Sequence, residues 1–155
     1  MGTVHQKTCN VLNDLIKINH DRLERYTRAH SESKEGNAAE LGSSLQKMIE
    51  QSRNYIAGLS NLFTKYGGGG DGTITMGRIH RTWNDLQITF SAHDRKNILD
   101  VCEFGEDAAQ RVYKMALEEY ELGEEARSLI AKQKNSLLDS HDLIKSYCNR
   151  KKVHE

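Results

Sequence analysis

The chain has 155 residues, and its 22 lysines and arginines balance 22 aspartates and glutamates, so the formal net charge is zero. Such a surface carries no strong overall field, and nucleic acid is not an expected partner. Proline is absent and aromatic residues make up only 6%, which suits long uninterrupted helices, and the length suits a single all-α domain with a sizeable core.

Cys9, Cys102 and Cys148 are odd in number and widely spaced. They suggest neither a disulfide framework nor a thiolate zinc site, and they favour a reducing compartment. No apolar run approaches the roughly 18 residues of a membrane span, and MGTVHQKTCN lacks the apolar core of a signal peptide. A cytoplasmic location without membrane insertion is the expectation.

In chain order, helical spacing predicts a first helix over about 4–30, with Thr8, Leu12, Leu15, Ile16, Asn19, Leu23 and Tyr26 on one face. Asp14, Asp21 and Glu24 fall away from that face and read as solvated. SESKEGN, 31–37, reads as a turn. A second helix over about 38–66 turns Leu45, Met48, Ile49, Ser52, Tyr55, Ile56, Leu59 and Phe63 inward, with Gln51 and Asn54 at or beyond the edge. YGGGGDGT, 66–73, has neither the G-K-[ST] ending nor the preceding strand of a phosphate loop and reads as a plain flexible stop. Thr75 is placed to cap a short helix over about 76–90 whose inner face is Met76, Ile79, Trp83, Leu86 and Phe90. SAHD, 91–94, then breaks the chain before helices over about 95–120 and 123–149.

The four longer helices should pack as two antiparallel hairpins, each joined by a short turn. Between the hairpins, the glycine run plus the short helix is long enough to travel the length of a four-helix bundle, so the second and third long helices can run parallel. A single long crossover of this kind is the ferritin-like arrangement, and a simple up-down-up-down bundle is the alternative.

ILDVCEFGEDAAQRVYKMAL, 98–117, carries a carboxylate, Glu106, on the stripe formed by Cys102, Ala109, Tyr113 and Ala116. A buried carboxylate costs several kcal/mol, about, unless it is hydrogen-bonded, paired, protonated or metal-bound. Asn19, Ser52 and Gln133 sit near the midpoints of the other long helices and also face inward, so the four should meet in one layer. That layer reads as a structural hydrogen-bonded network that fixes register; if so, Glu106→Leu should leave stability unchanged or raised. The same groups are oxygen-rich enough to hold one ion weakly, with His141 joining only if the helices are offset.

Di-iron bundles combine a Glu on two helices with Glu-x-x-His on the other two, and none of the seven histidines has a glutamate three residues before it. His20 with Glu24 is an i, i+4 pair that reads as a solvated contact. His141, beside Leu137, Leu138 and Ile144, reads as a partly buried core histidine. Phe104 and Val101 lie off the main stripe and are expected to meet the short helix.

VLNDLIKINHDRLERY (11–26), GRIHRTWNDL (77–86), DRKNILDVCEFGEDAAQRVYKMAL (94–117) and Gln133 with SHDLIKS (140–146) resemble a bacterial family of ferritin-like four-helix-bundle proteins whose function is not established. The resemblance implies a ferritin-like bundle and supplies no activity. Two functions stay open. The first is a non-enzymatic interaction or stress-associated protein with a structural polar layer, no cofactor, and a protein partner or self-association. The second is a metal-binding or oxidase-like relative using Glu106 in a non-standard iron or manganese site. A peptide- or lipid-binding bundle would need an open apolar groove.

Overall fold

A computed structural model describes residues 2–33, 39–69, 76–91 and 98–154. The fold is all-α: five helices, α1 (Gly2–Ser33), α2 (Ala39–Lys65), α3 (Arg78–Ser91), α4 (Ile98–Leu117) and α5 (Glu124–His154), with no strand among the described residues. None of these helices is long and apolar enough to cross a membrane. The expected turn at 34–37, the Thr75 cap and the break at 92–94 lie outside the described residues. Ser31 to Ser33, expected in that turn, continue α1, and α5 runs on past 149 to His154.

Each end that the structure describes has a local cause. α2 stops at Gly67, whose φ of 95° suits glycine and lets the Gly68 N–H bond Phe63 O at 2.7 Å. Arg127 closes the end of α4 by donating to Leu117 O at 2.8 Å and Glu119 O at 2.5 Å. α5 opens with Glu124 and Glu125, whose charges suit the positive end of a helix.

Side-chain pairs set the directions. Cys9 of α1 donates to Tyr66 O at the end of α2 at 3.3 Å, whereas Arg22 reaches Ser52 at mid-helix, so α1 and α2 are antiparallel. Gln110 with Lys134 and His141 with Asp107 make α4 and α5 antiparallel, and Asn19 with Tyr113 and Tyr26 with Glu106 do the same for α1 and α4. Lys65 with Glu125 and Ser44 with Tyr147 oppose α2 to α5. Consequently α2 and α4 run in the same direction, which requires the connection between them to travel back along the molecule.

The apolar core falls into two parts. One is centred on Leu12, Leu15, Leu59, Val112, Tyr113 and Ile130, and the other on Tyr26, Leu45, Met48, Cys102, Ile144 and Cys148. No disulfide joins the three cysteines. The side chain of α3 that enters the core is Trp83, fully buried, with Ile79 beside it. Phe90 at the end of α3 stacks on Phe104 of α4 at 4.2 Å, the meeting expected for Phe104. Met76, expected on the inner face, is 41% exposed because it precedes the first turn of α3.

Two acidic residues read as solvated are not. Asp14 is 2% exposed and Asp21 is half-buried, because α3 lies along the side of α1 that carries them. Glu24 is exposed and meets Arg28 in a surface ion pair.

Candidate functional site: a buried polar layer

Between the two parts of the core, the four long helices turn polar side chains toward one another. Asn19 on α1, Ser52 on α2, Glu106 on α4 and Gln133 on α5 are all buried. Arg22 binds them together. Its side chain is 1% exposed and stands one turn beyond Asn19 on the inward face.

The Arg22 guanidinium acts as the hub. Nη1 donates to Asn19 Oδ1 at 3.0 Å and Ser52 Oγ at 3.3 Å. Nη2 donates to Glu106 Oε1 at 3.1 Å and Gln51 Oε1 at 3.1 Å. The Tyr26 hydroxyl also donates to Glu106 Oε1, and the guanidinium carbon lies 5.4 Å and 5.9 Å from the ring centroids of Tyr26 and Tyr55. Desolvated cation–ring contacts of this kind add attraction beyond the ion pair.

A second arm runs to α5. Asn19 Nδ2 donates to Leu15 O at 2.8 Å and to the Tyr113 hydroxyl at 2.9 Å, which in turn donates to Gln133 Oε1 at 2.7 Å. The Tyr55 hydroxyl donates to Gln133 O at 3.1 Å. Gln51, expected at the edge of α2, closes the side of the layer by donating to Ser140 at 2.9 Å. Every polar group of Asn19 is therefore used, as a buried amide requires.

Electrostatics follow from depth. Burial pushes the Glu106 carboxyl above its ordinary value, and the charge and hydrogen bond of Arg22 pull against that shift. Burial likewise raises the Tyr113 phenol, eased by the bond from Asn19. The ion pair is one-armed: Arg22 Nε and Glu106 Oε2 have no hydrogen-bond partner. A buried pair of this kind need not add net stability, because desolvation opposes the attraction.

His141 does not enter the layer. It lies at the flank of α5, 21% exposed, with Nε2 on Asp107 and Nδ1 on Asp142. Burial alone would lower its pKa, and the bonds its ring donates to the two aspartates outweigh that and hold it above the ordinary value. His20 is exposed on the outer side of α1.

As a metal site the layer fits poorly. It offers one carboxylate, already neutralised by a guanidinium, and among the described residues no group of three or more His, Cys, Asp or Glu is placed to hold an ion. Its polar groups hydrogen-bond across all four long helices.

Arg22, Tyr26 as a donor, and Gln51 have no place in the layer on helical spacing alone. The signal for Arg22 was its place three residues after Asn19. Fully buried arginine is rare unless paired, however, and its partner stands 84 positions away.

The model of a family described as a domain of unknown function (DUF2383) matches residues 7–119, well over half of the chain. The match runs from Lys7 within α1 through α4 and includes Asn19, Arg22, Ser52 and Glu106. No curated protein and no solved structure matches the chain.

Proposed function

We propose a non-enzymatic, architectural role for the polar layer of this chain, which belongs to the DUF2383 family, a domain of unknown function. The full reading is a single-domain, ferritin-like four-helix bundle with a long crossover containing α3, acting in the cytoplasm as an interaction or stress-associated protein. Support for the ferritin-like arrangement comes from the parallel run of α2 and α4 and from the sequence resemblance. The stress association rests on that resemblance alone.

The observation that carries the architectural reading is the Arg22–Glu106 pair, 3.1 Å long and fully buried. A guanidinium inside the layer repels a cation and occupies the carboxylate such a cation would need. The competing reading, an iron- or manganese-binding or oxidase-like bundle, is favoured by a single feature, the unpartnered Glu106 Oε2.

Elemental analysis separates the two. Untagged protein incubated with iron, manganese and zinc, then desalted, is expected to carry no stoichiometric metal, and Glu106→Gln is expected to behave identically. About one bound metal per chain, lost in Glu106→Gln, would establish the metal site and overturn the architectural reading.

A further inference from the structure

Two separate polar systems leave α1. Asn19, Arg22 and Tyr26 face the central layer, whereas Asp14, Asp21 and Arg25 face α3. Asp14 caps α3 from outside the helix: its carboxylate accepts the Gly77 N–H at 3.0 Å and the His80 N–H at 3.3 Å. Asp21 accepts Trp83 Nε1–H at 3.0 Å. Arg25 donates through Nη2 to Gln87 Oε1, and its guanidinium lies 5.7 Å from the Trp83 ring centroid. Among the described residues, none of the hydrogen bonds made by Asn19, Arg22, Ser52, Glu106, Tyr113 or Gln133 reaches α3.

The seam beneath α3 is imperfectly satisfied, as the central layer also is at Arg22 Nε and Glu106 Oε2. Arg25 Nη1 and Gln87 Nε2 are both buried with no hydrogen-bond partner, and an unmade buried bond weakens the state that contains it. Gly105 leaves room for Arg25 there, since a Cβ at that position would fall 2.5 Å from Nη1. With 14 residues, α3 is near the length below which an isolated helix is marginal in water, so it depends on docking.

We propose that α3 is a releasable strap: it leaves α1 and α4 as one cooperative unit while the four long helices and their polar layer stay assembled. Opening uncovers Trp83, Ile79 and the flank of α1 that carries Asp14, Asp21 and Arg25, a surface that the closed molecule hides. Such sub-global openings draw on segments that pack sparsely on the rest of the fold, and α3 packs on α1 and α4 more sparsely than the helices of the α1–α2 and α4–α5 pairs pack on each other.

Hydrogen–deuterium exchange of the full chain, read by mass spectrometry under native conditions, tests this directly. Amides over 78–91 are expected to exchange at least ~10-fold faster than those at the centres of α1 and α4. Asp14→Ala should speed α3 a further fivefold or so, about what losing a helix cap gives, with α4 and α5 unchanged. Asp14→Asn, which keeps an acceptor oxygen, should do the same to a smaller degree and guards against a variant that fails to fold. Acrylamide quenching of Trp83, the single tryptophan, should rise in step. Equal exchange of α3 and α4 in the wild type, or acceleration of all helices together in the Asp14 variants, would overturn the strap.

Discussion

Arg22 carries a full charge into the centre of the helices because Glu106 stands opposite to receive it, and this changes what substitutions there should do. On the sequence alone, Glu106→Leu looked harmless. With Arg22 in place, it strands a buried guanidinium and is expected to cost about 3–5 kcal/mol, as is Arg22→Leu; urea denaturation of the two variants measures both losses. The acid titration follows from the direction of the shift. Glu106 has a folded-state pKa raised above its unfolded value, so its contribution is fully present below about pH 4 and is lost as pH rises through the folded value. Asp14 is raised too, by burial opposed by its bonds to Gly77 and His80, and adds in the same sense. Stability measured from pH 4 to 7 should therefore fall less steeply in Glu106→Gln than in the wild type. His141 works in a separate window. Its raised value means that its pairing with Asp107 stabilises fully below about pH 6.5 and is lost as pH rises through the folded pKa. His141→Gln should remove that component, and an NMR titration of its ring protons should show a midpoint above the ordinary histidine value.

At the scale of elements, apolar spacing revealed the helices because each long one buries a stripe with a period near 3.6. Leu12, Leu15, Leu45, Leu59, Tyr113, Ile130 and Ile144 were all legible in that way, and all are in the core. What spacing could not show was the second working face of α1. A helix touched on two sides carries functional residues outside its main stripe, so Asp14 and Asp21 looked solvated until α3 was laid against them. The same blindness hid the cap of α3, whose acceptor comes from 63 positions earlier in the chain. Trp83→Phe isolates one of these contacts. It keeps most of the buried ring but leaves Asp21 without the indole N–H, and it is expected to cost about 1 kcal/mol in thermal unfolding.

For the whole molecule, the layer divides the apolar core into two parts and links the four long helices in one register through a continuous set of hydrogen bonds, with Arg22 Nε and Glu106 Oε2 left without partners. Asn19, Ser52, Glu106 and Gln133 could be placed there from helix midpoints, because short turns constrain the helices to share ends. Arg22, Tyr26 and Gln51 could not, since their roles depend on side-chain reach across helices far apart in sequence. His141 shows the opposite limit: its spacing along α5 is that of an inward residue, yet the imidazole leans out to Asp107.

An ion pair that serves architecture, as proposed, has charges that are replaceable together and not singly. Chemical denaturation of wild type, Arg22→Leu, Glu106→Leu and the double variant forms the decisive cycle. The double variant is expected to be at least as stable as the wild type, while each single substitution loses about 3–5 kcal/mol. A double variant as unstable as the sum of the two singles would contradict it, because the charges would then contribute independently of each other.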